Sequence, residues 1–263
     1  MKRIAFLFAI LTFCSFSFSQ NKDSLDNQTL IKLYKGLRVA DVCDGMDMVG
    51  LKDVGLMDTK IAPLWKDIQN YKHQFVGIAF TVRYVPSLRV PHPEGASLEE
   101  YKQWRDEWYT NISGEPFVKD IRPGDVILID NENDGDCGTT GSNNSMLWTS
   151  KGAVGIVSAG GVRDVDEIEK QRIPVYMDYF KRGRGIRPGR NELESYNKPI
   201  TVGGVYIRPG DIIVADGDGV IVVPRKMAVK VADAAREELN LDKNARRKLY
   251  EELGIPFDFT VTE

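Results

Sequence analysis

The string IRPGD occurs twice in this chain, at 121–125 and 207–211, and each copy runs straight into a short apolar stretch, VILID and IIVADGDGVIVVP. Proline presets the first corner of a turn, glycine accepts the left-handed second corner, and the β-branched residues that follow suit a buried strand. Each IRPGD is therefore expected to be a strand-entry turn and scaffolding in itself. A third IRPG begins at Ile186 but leads through Arg190 into a polar stretch, and no strand is expected after it. Other β-rich runs lie at 77–85, 126–129, 154–158, 173–177, 200–206, 212–215 and 220–223. Helical spacing of apolar residues marks 28–37 and, more strongly, a C-terminal helix over 225–253. Strands interleaved with helices indicate an α/β domain. Residues 86–119 fit neither pattern: PSLRVPHPEG is turn chemistry and SLEEYKQWRDEWYTN is a short helix crowded with aromatics, so the segment reads as a surface insertion. Tyr101, Trp104 and Trp108 would share one face of that helix, either packed on the domain or leaning over a pocket.

The first 19 residues have a basic start, an apolar run of secretory length, and small residues Ser17 and Ser19 before Gln20, which is the pattern of a cleavable signal peptide. The implied location is periplasmic or secreted, with a single domain over 20–263 that keeps 244 of the 263 residues. Losing Lys2 and Arg3 with the leader takes the formal net charge from −3 to −5. No basic block remains for nucleic acid, and no apolar run after the leader reaches membrane-spanning length. The expected partner is a small molecule or further copies of the chain. Cys43 and Cys137 lie in dissimilar contexts and are expected to be idle thiols, neither a disulfide nor part of a zinc site.

The strand after the first IRPGD opens into LIDNENDGDCGTTGSNNSMLWTSKG, a loop of small polar residues before a helix expected to begin near Ser142. Free backbone N–H groups at such a helix start suit a carboxylate or phosphate, although neither a Walker loop nor a dinucleotide-binding spacing is present. Next comes VGIVSAGGVRDVDEIEK, a strand ending near Ser158, a glycine turn, and Arg163 and Asp164 opening a helix. Asp164 with Glu167 three residues on makes an acceptable N-cap and capping-box pair. At the carboxyl end of a strand, an Arg beside an Asp also offers a bidentate grip on a carboxylate and a hard oxygen ligand for Mg²⁺. Asp216 and Asp218 in ADGDG read as a tight turn as readily as a carboxylate pair.

VADVCDGMDMVG, VGIAFTVR, IRPGDVILID, GSNNSMLWTSKGAVGIVSAGGVRDV and VGGVYIRPGDIIVADGDGVIVVP resemble, in this order, the RraA-like family that includes the 4-hydroxy-4-methyl-2-oxoglutarate aldolases. The resemblance covers most of the chain after the leader, except 86–119 and the extreme C-terminus. It implies an α/β/α sandwich-like domain assembling as a trimer or a dimer of trimers. It also implies a class II aldolase, dependent on Mg²⁺ or Mn²⁺, that splits a 4-hydroxy-2-oxo acid into pyruvate and a second keto acid, with oxaloacetate as a further candidate substrate. Carried over residue by residue, Arg163 would grip substrate oxygens, Asp164 would ligate the metal directly, and Gly141, Ser142, Asn143 and Asn144 would hold the pyruvate carboxylate. Asp242 on the C-terminal helix would approach a neighbouring subunit's metal through water, whereas by spacing alone Asp242 and Arg246 are an exposed i,i+4 ion pair. Ser142 stands where the aldolases usually carry an acid, and Asp134 or Asp136 are the nearest substitutes. The family also includes proteins named for inhibiting a ribonuclease, so a non-catalytic binding or regulatory protein that retains the pocket is the alternative.

Overall fold

Both IRPGD strings form the same turn. Gly124 and Gly210 have φ of +94° and +92°. The amides of Asp125 and Asp211 donate to the carbonyls of Arg122 and Arg208 at 3.0 and 3.1 Å. The carboxylates of the same aspartates accept the amides of Arg122 and Arg208 at 2.7 and 2.8 Å, closing the turn from both ends. The third IRPG makes the same turn, with Gly189 at φ +76° and the Arg190 amide 2.9 Å from the Arg187 carbonyl. Contrary to expectation a strand follows it, over Asn191–Tyr196. Its sequence, NELESY, is polar because it pairs at the margin of the sheet, where only Asn191 is fully buried.

The computed structural model describes residues 25–262 apart from Pro93 and Arg182, so the leader at 1–19 lies outside the described residues. In chain order the elements are α1 (Asn27–Tyr34), α2 (Val39–Met48), β1 (Ile61–Pro63), β2 (Phe75–Pro86), α3 (Leu98–Asn111), β3 (Asp125–Asp130), β4 (Gly138–Thr140), α4 (Ser142–Ser150), β5 (Gly155–Ser158), β6 (Gly161–Val162), α5 (Val165–Gln171), β7 (Val175–Asp178), β8 (Asn191–Tyr196), β9 (Ile200–Val202), β10 (Val205–Ile207), β11 (Ile212–Asp216), β12 (Gly219–Val223) and α6 (Ala228–Leu253). The main sheet runs β1-β7-β5-β3-β2-β11-β12, with β8 on the outer half of β2. Strands β2, β3, β5 and β7 are parallel, and β1, β8, β11 and β12 join antiparallel. The expected single strand at 200–206 is instead the hairpin β9–β10, because Gly203 and Gly204 both take positive φ and reverse the chain.

Alternation along β2 sorts the core. Ile78, Phe80, Val82 and Tyr84 face one way, towards α1, α2 and α6 at one end and towards Trp148 of α4 and Ile168 of α5 at the other. Phe75 and Ala79 face the opposite way, where Ile200, Val202 and Ile207 of the hairpin cover Val126, Leu128 and Ile213. The covering layers are thus helices on one face and a β-hairpin on the other among the described residues, which corrects the expected α/β/α sandwich. The physical reason is that strands apolar on both faces do not reveal what covers them. The single α/β domain and the long C-terminal helix are as expected. Helix α6 buries Val231, Ala232, Ala235 and Leu239, and no helix among the described residues is long and apolar enough to cross a membrane.

Helix α2 was not marked by apolar spacing. It crosses α6 at Gly45, where a built Cβ would lie 2.8 Å from both the Ala235 amide nitrogen and the Val231 carbonyl oxygen. The sheet margins are short or occupied. Strand β12 is bonded on its outer side by residues 55–57, through Met57 N–H to the Val220 carbonyl at 2.9 Å and Val222 N–H to the Gly55 carbonyl at 2.8 Å. Strand β1 has three residues and ends in Pro63. Cys43 and Cys137 are both free, and burial pushes their thiols up to about 11 and about 12, which disfavours the thiolate.

Candidate active site

The loops after β3, β5 and β7 meet at the carboxyl ends of the parallel strands, where ligands of open α/β sheets gather. Two of them are stitched by the short parallel pair β4–β6, and the Arg163 amide donates to the Thr140 carbonyl at 3.0 Å. This brings Gly141 and Asp164 together. Asp164 has φ 56° and ψ 43°, a left-handed conformation costing a non-glycine residue about 1–2 kcal/mol. Its side chain makes no bond to its own helix, so the expected capping box is absent. Instead Oδ2 accepts the Ser142 amide, at the start of α4, at 3.1 Å.

Glycine at 141 is required by this arrangement, because an added Cβ would lie 2.6 Å from Asp164 Oδ2 and 3.5 Å from Arg163 Cγ. At Gly138 it would lie 2.7 Å from Arg163 Cδ, so the arginine stem rests on both glycines. Arg163 Nε is 3.8 Å from Asp164 Oδ1, and both side chains are about one-third exposed, at 36% and 35%. As the N-cap of α4, Gly141 offers no side-chain acceptor, and the amides of Asn143 and Asn144 have no intrachain acceptor among the described residues. The sequence-marked residues Gly141, Ser142, Asn143, Asn144, Arg163 and Asp164 therefore share one place. Beside Arg163 lies a cleft of about 440 Å³ whose lining adds Lys181, Arg184 and Tyr179. Lys181 sits 3.6 Å from the Glu132 carboxylate, whereas Arg184 is exposed with no carboxylate partner among the described residues.

A family model described as RraA-like, Aldolase/RraA, matches residues 39–222, well over half of the chain. The chain belongs to the RraA-like family. A protein of Halalkalibacterium halodurans named "Putative 4-hydroxy-4-methyl-2-oxoglutarate aldolase" is 36% identical over 141 residues, a match covering 52% of this chain and 64% of that relative. Less than two thirds of the relative's length is thus spanned. A crystal structure described as novel cellulases from microbes associated with the gut ecosystem superposes with a TM-score of 0.66 at 25% identity, covering 86% of this chain and 90% of the other. RraAS2 of Streptomyces coelicolor, described as an unusual member of the RNase ES inhibitor RraA protein family, gives 0.62 at 20% identity over 84% and 97%, a likeness of fold.

Asp134, Asp136, Asp216 and Asp242 of this RraA-like protein each have a hydrogen-bonding or charged neighbour. Asp134 is buried and accepts from Asn131, Asn191 and Thr139, and burial raises its pKa above the usual carboxylate range. Asp136 pairs with Arg190 at 3.0 Å. Asp134 Oδ1 has no hydrogen-bond partner among the described residues, and the Asp136 side chain is about half exposed, at 49%. Asp216 accepts the Val39 amide at 2.8 Å, capping α2, and its Oδ1 accepts the Asp218 amide at 2.9 Å, so ADGDG is the tight turn between β11 and β12. Asp242 lies on α6, half exposed, 2.7 Å from Arg38 and 3.2 Å from Arg246. Hydrogen bonding from Arg38 holds its carboxyl below the usual carboxylate range. Within one copy it makes no contact with Arg163 or Asp164.

The insertion is packed onto the domain. Trp108 is buried with its indole N–H on the Asn191 carbonyl at 3.0 Å, and His92, Tyr101, Trp104 and Trp108 form a ladder of rings 5.3–5.6 Å apart. At its C-terminal end stands a cluster that the sequence did not reveal. Arg187, from the third IRPG, is 7% exposed and donates to the Tyr84 hydroxyl at 2.7 Å, the Ser113 carbonyl at 2.8 Å and Glu115 Oε1 at 2.6 Å. Its guanidinium lies over the rings of Tyr84 and Tyr109. Burial works against its charge, but Tyr84, Glu115 and Tyr109 outweigh that and keep its pKa above the ordinary guanidinium value. Glu115 also accepts the Asn144 side-chain amide and, at 2.9 Å, the Trp148 indole N–H.

Proposed function

We propose that this protein is a carbon–carbon lyase dependent on Mg²⁺ or Mn²⁺, cleaving a 4-hydroxy-2-oxo acid to pyruvate and a second keto acid. The observation that carries the reading is Asp164, a left-handed aspartate whose Oδ2 takes the Ser142 amide while Oδ1 stays open beside Arg163. The donor chemistry fits these cations. One carboxylate oxygen with room for water is a usual protein share of a Mg²⁺ site. A cation bound there would supply positive charge against the negative charge developing on the 2-oxo oxygen.

The amides of Asn143 and Asn144 face the C1 carboxylate at the positive end of α4. Arg163 spans the carboxylate and the 2-oxo oxygen with its planar fork. As the C3–C4 bond breaks, its electron pair passes to C3, the 4-hydroxyl gives up its proton and becomes the second carbonyl, and protonation at C3 completes pyruvate. The reading assigns that 4-hydroxyl proton, through water, to Asp242 of a neighbouring copy. Arg184, exposed with no carboxylate partner among the described residues, suits a second substrate carboxylate, which favours dicarboxylic substrates. The leader at 1–19 would place this chemistry outside the inner membrane.

The test is pyruvate release over a panel of 4-hydroxy-2-oxo acids and oxaloacetate, with Mg²⁺, with Mn²⁺ and with a chelator. Release that needs the metal is expected. No release from any member, with oxalate still bound, would favour the non-catalytic alternative to which Ser142 points. A trimer or hexamer is expected by sedimentation at micromolar concentration, since Leu241, Leu249 and Leu253 of α6 remain exposed. A stable monomer would remove Asp242 from the mechanism.

A further inference from the structure

We propose that Glu115, supplied by the insertion, is a positioning residue that sets the first turn of α4 for substrate, making the insertion a working part of the site; this rests on the site reading above. The first turn of α4 has no cap of its own, since Gly141 lacks a side chain. Two carboxylates bracket it instead. Asp164 takes the Ser142 amide from the substrate side, and Glu115 takes the Asn144 side chain and the Trp148 indole from behind.

Both Glu115 oxygens are engaged, and its side chain is only 13% exposed. The charge is matched by Arg187, which is fixed in turn by Tyr84 of β2 and by the Ser113 carbonyl at the end of the insertion. The insertion is anchored at its base, by Ser87 N–H to the Arg190 carbonyl at 2.8 Å and Leu193 N–H to the Ile112 carbonyl at 3.0 Å. A tether alone would need no contact with α4. Bonds from one carboxylate to two residues of α4, one of them in the turn whose amides face the substrate, are what positioning requires.

The test uses the full-length protein as it assembles, with Glu115→Gln and, because that change leaves Arg187 buried without its charge partner, Trp148→Phe as a milder variant that keeps the ion pair. Three quantities are measured: hydrogen exchange of the amides over 142–148 without ligand, affinity for oxalate with Mg²⁺, and the split between KM and kcat for pyruvate release. For Glu115→Gln we expect exchange over 142–148 and the oxalate Kd both to rise about tenfold, the order set by loss of one charge-assisted hydrogen bond, with KM rising more than kcat falls. For Trp148→Phe the same residues should respond, less strongly, beyond the rise that its lower melting temperature brings to the whole chain, since Trp148 is fully buried and the smaller ring leaves a cavity. Exchange over 142–148 at wild-type rates, or raised only in step with the whole chain, overturns the proposal. If wild-type protein binds no oxalate and cleaves no substrate, the lyase reading fails, and the ligand-free exchange still decides whether Glu115 orders α4.

Discussion

Asp164→Asn is expected to remove divalent-metal binding and pyruvate release while leaving the fold intact. Asparagine is among the few residues that tolerate the left-handed region, so the backbone at φ 56° and ψ 43° can persist. Its side-chain carbonyl can still accept the Ser142 amide that Oδ2 now takes. What is lost is the negative charge that a hard dication needs. Changing an outer partner of a metal ligand typically costs roughly 10–100-fold in affinity, and a direct ligand should cost more. Mn²⁺ titration followed by water proton relaxation, alongside thermal melting, reads both halves of the expectation. Unchanged Mn²⁺ affinity in the variant would leave Asp164 as no more than the residue that holds Ser142 in place.

Gly45→Val should be the most damaging change to stability. In a helix interior glycine costs about 1 kcal/mol relative to alanine, so propensity alone favours a substitution here. Packing opposes it. The added Cβ would meet the Ala235 nitrogen and the Val231 carbonyl oxygen at 2.8 Å, and backbone atoms of α6 cannot rotate away as a side chain would. Overpacking costs typically 1–3 kcal/mol, and valine adds two further carbons at the same point, so the net loss should be about 3 kcal/mol. At about 2–4 °C per kcal/mol for a chain of this size, the melting temperature should fall by about 6–12 °C. A valine variant melting within about 2 °C of wild type would show that α2 and α6 separate freely. The pairing also matters for function under the proposed mechanism, because Arg38, at the start of α2, orients Asp242 on α6 at 2.7 Å.

Much of the sheet could be read from the sequence, because β3, β5, β11 and β12 are short β-branched runs bounded by turn residues and β2 is a longer one. The turn logic of IRPGD held in atomic detail at Asp125 and Asp211. Helix α2 escaped because its apolar positions are few and interrupted by acids and Gly45, a glycine that serves packing against α6. Strand β8 escaped because a margin strand need not be apolar. At the site, Gly141, Arg163 and Asp164 could be paired from their places after successive strands. Glu115 and Arg187 could not, since they lie some seventy residues apart, one in the insertion and one in a turn that looked empty of function. Only the three-dimensional path of β8 brings that third turn beneath the insertion.

The margins of the sheet bear on how copies of this protein can and cannot associate. An open strand edge is a template on which another chain can add its own backbone, the first step towards fibrous aggregates. Here the outer side of β12 is taken by residues 55–57, and β1 ends after three residues in a proline. Strand β8 carries Glu192 and Glu194 and is bonded by the end of the insertion at Leu193. Among the described residues, then, no long apolar edge offers a continuous row of backbone donors and acceptors to a neighbour. Association should accordingly proceed through side-chain surfaces of helices and loops, a contact that closes into discrete particles instead of growing without limit.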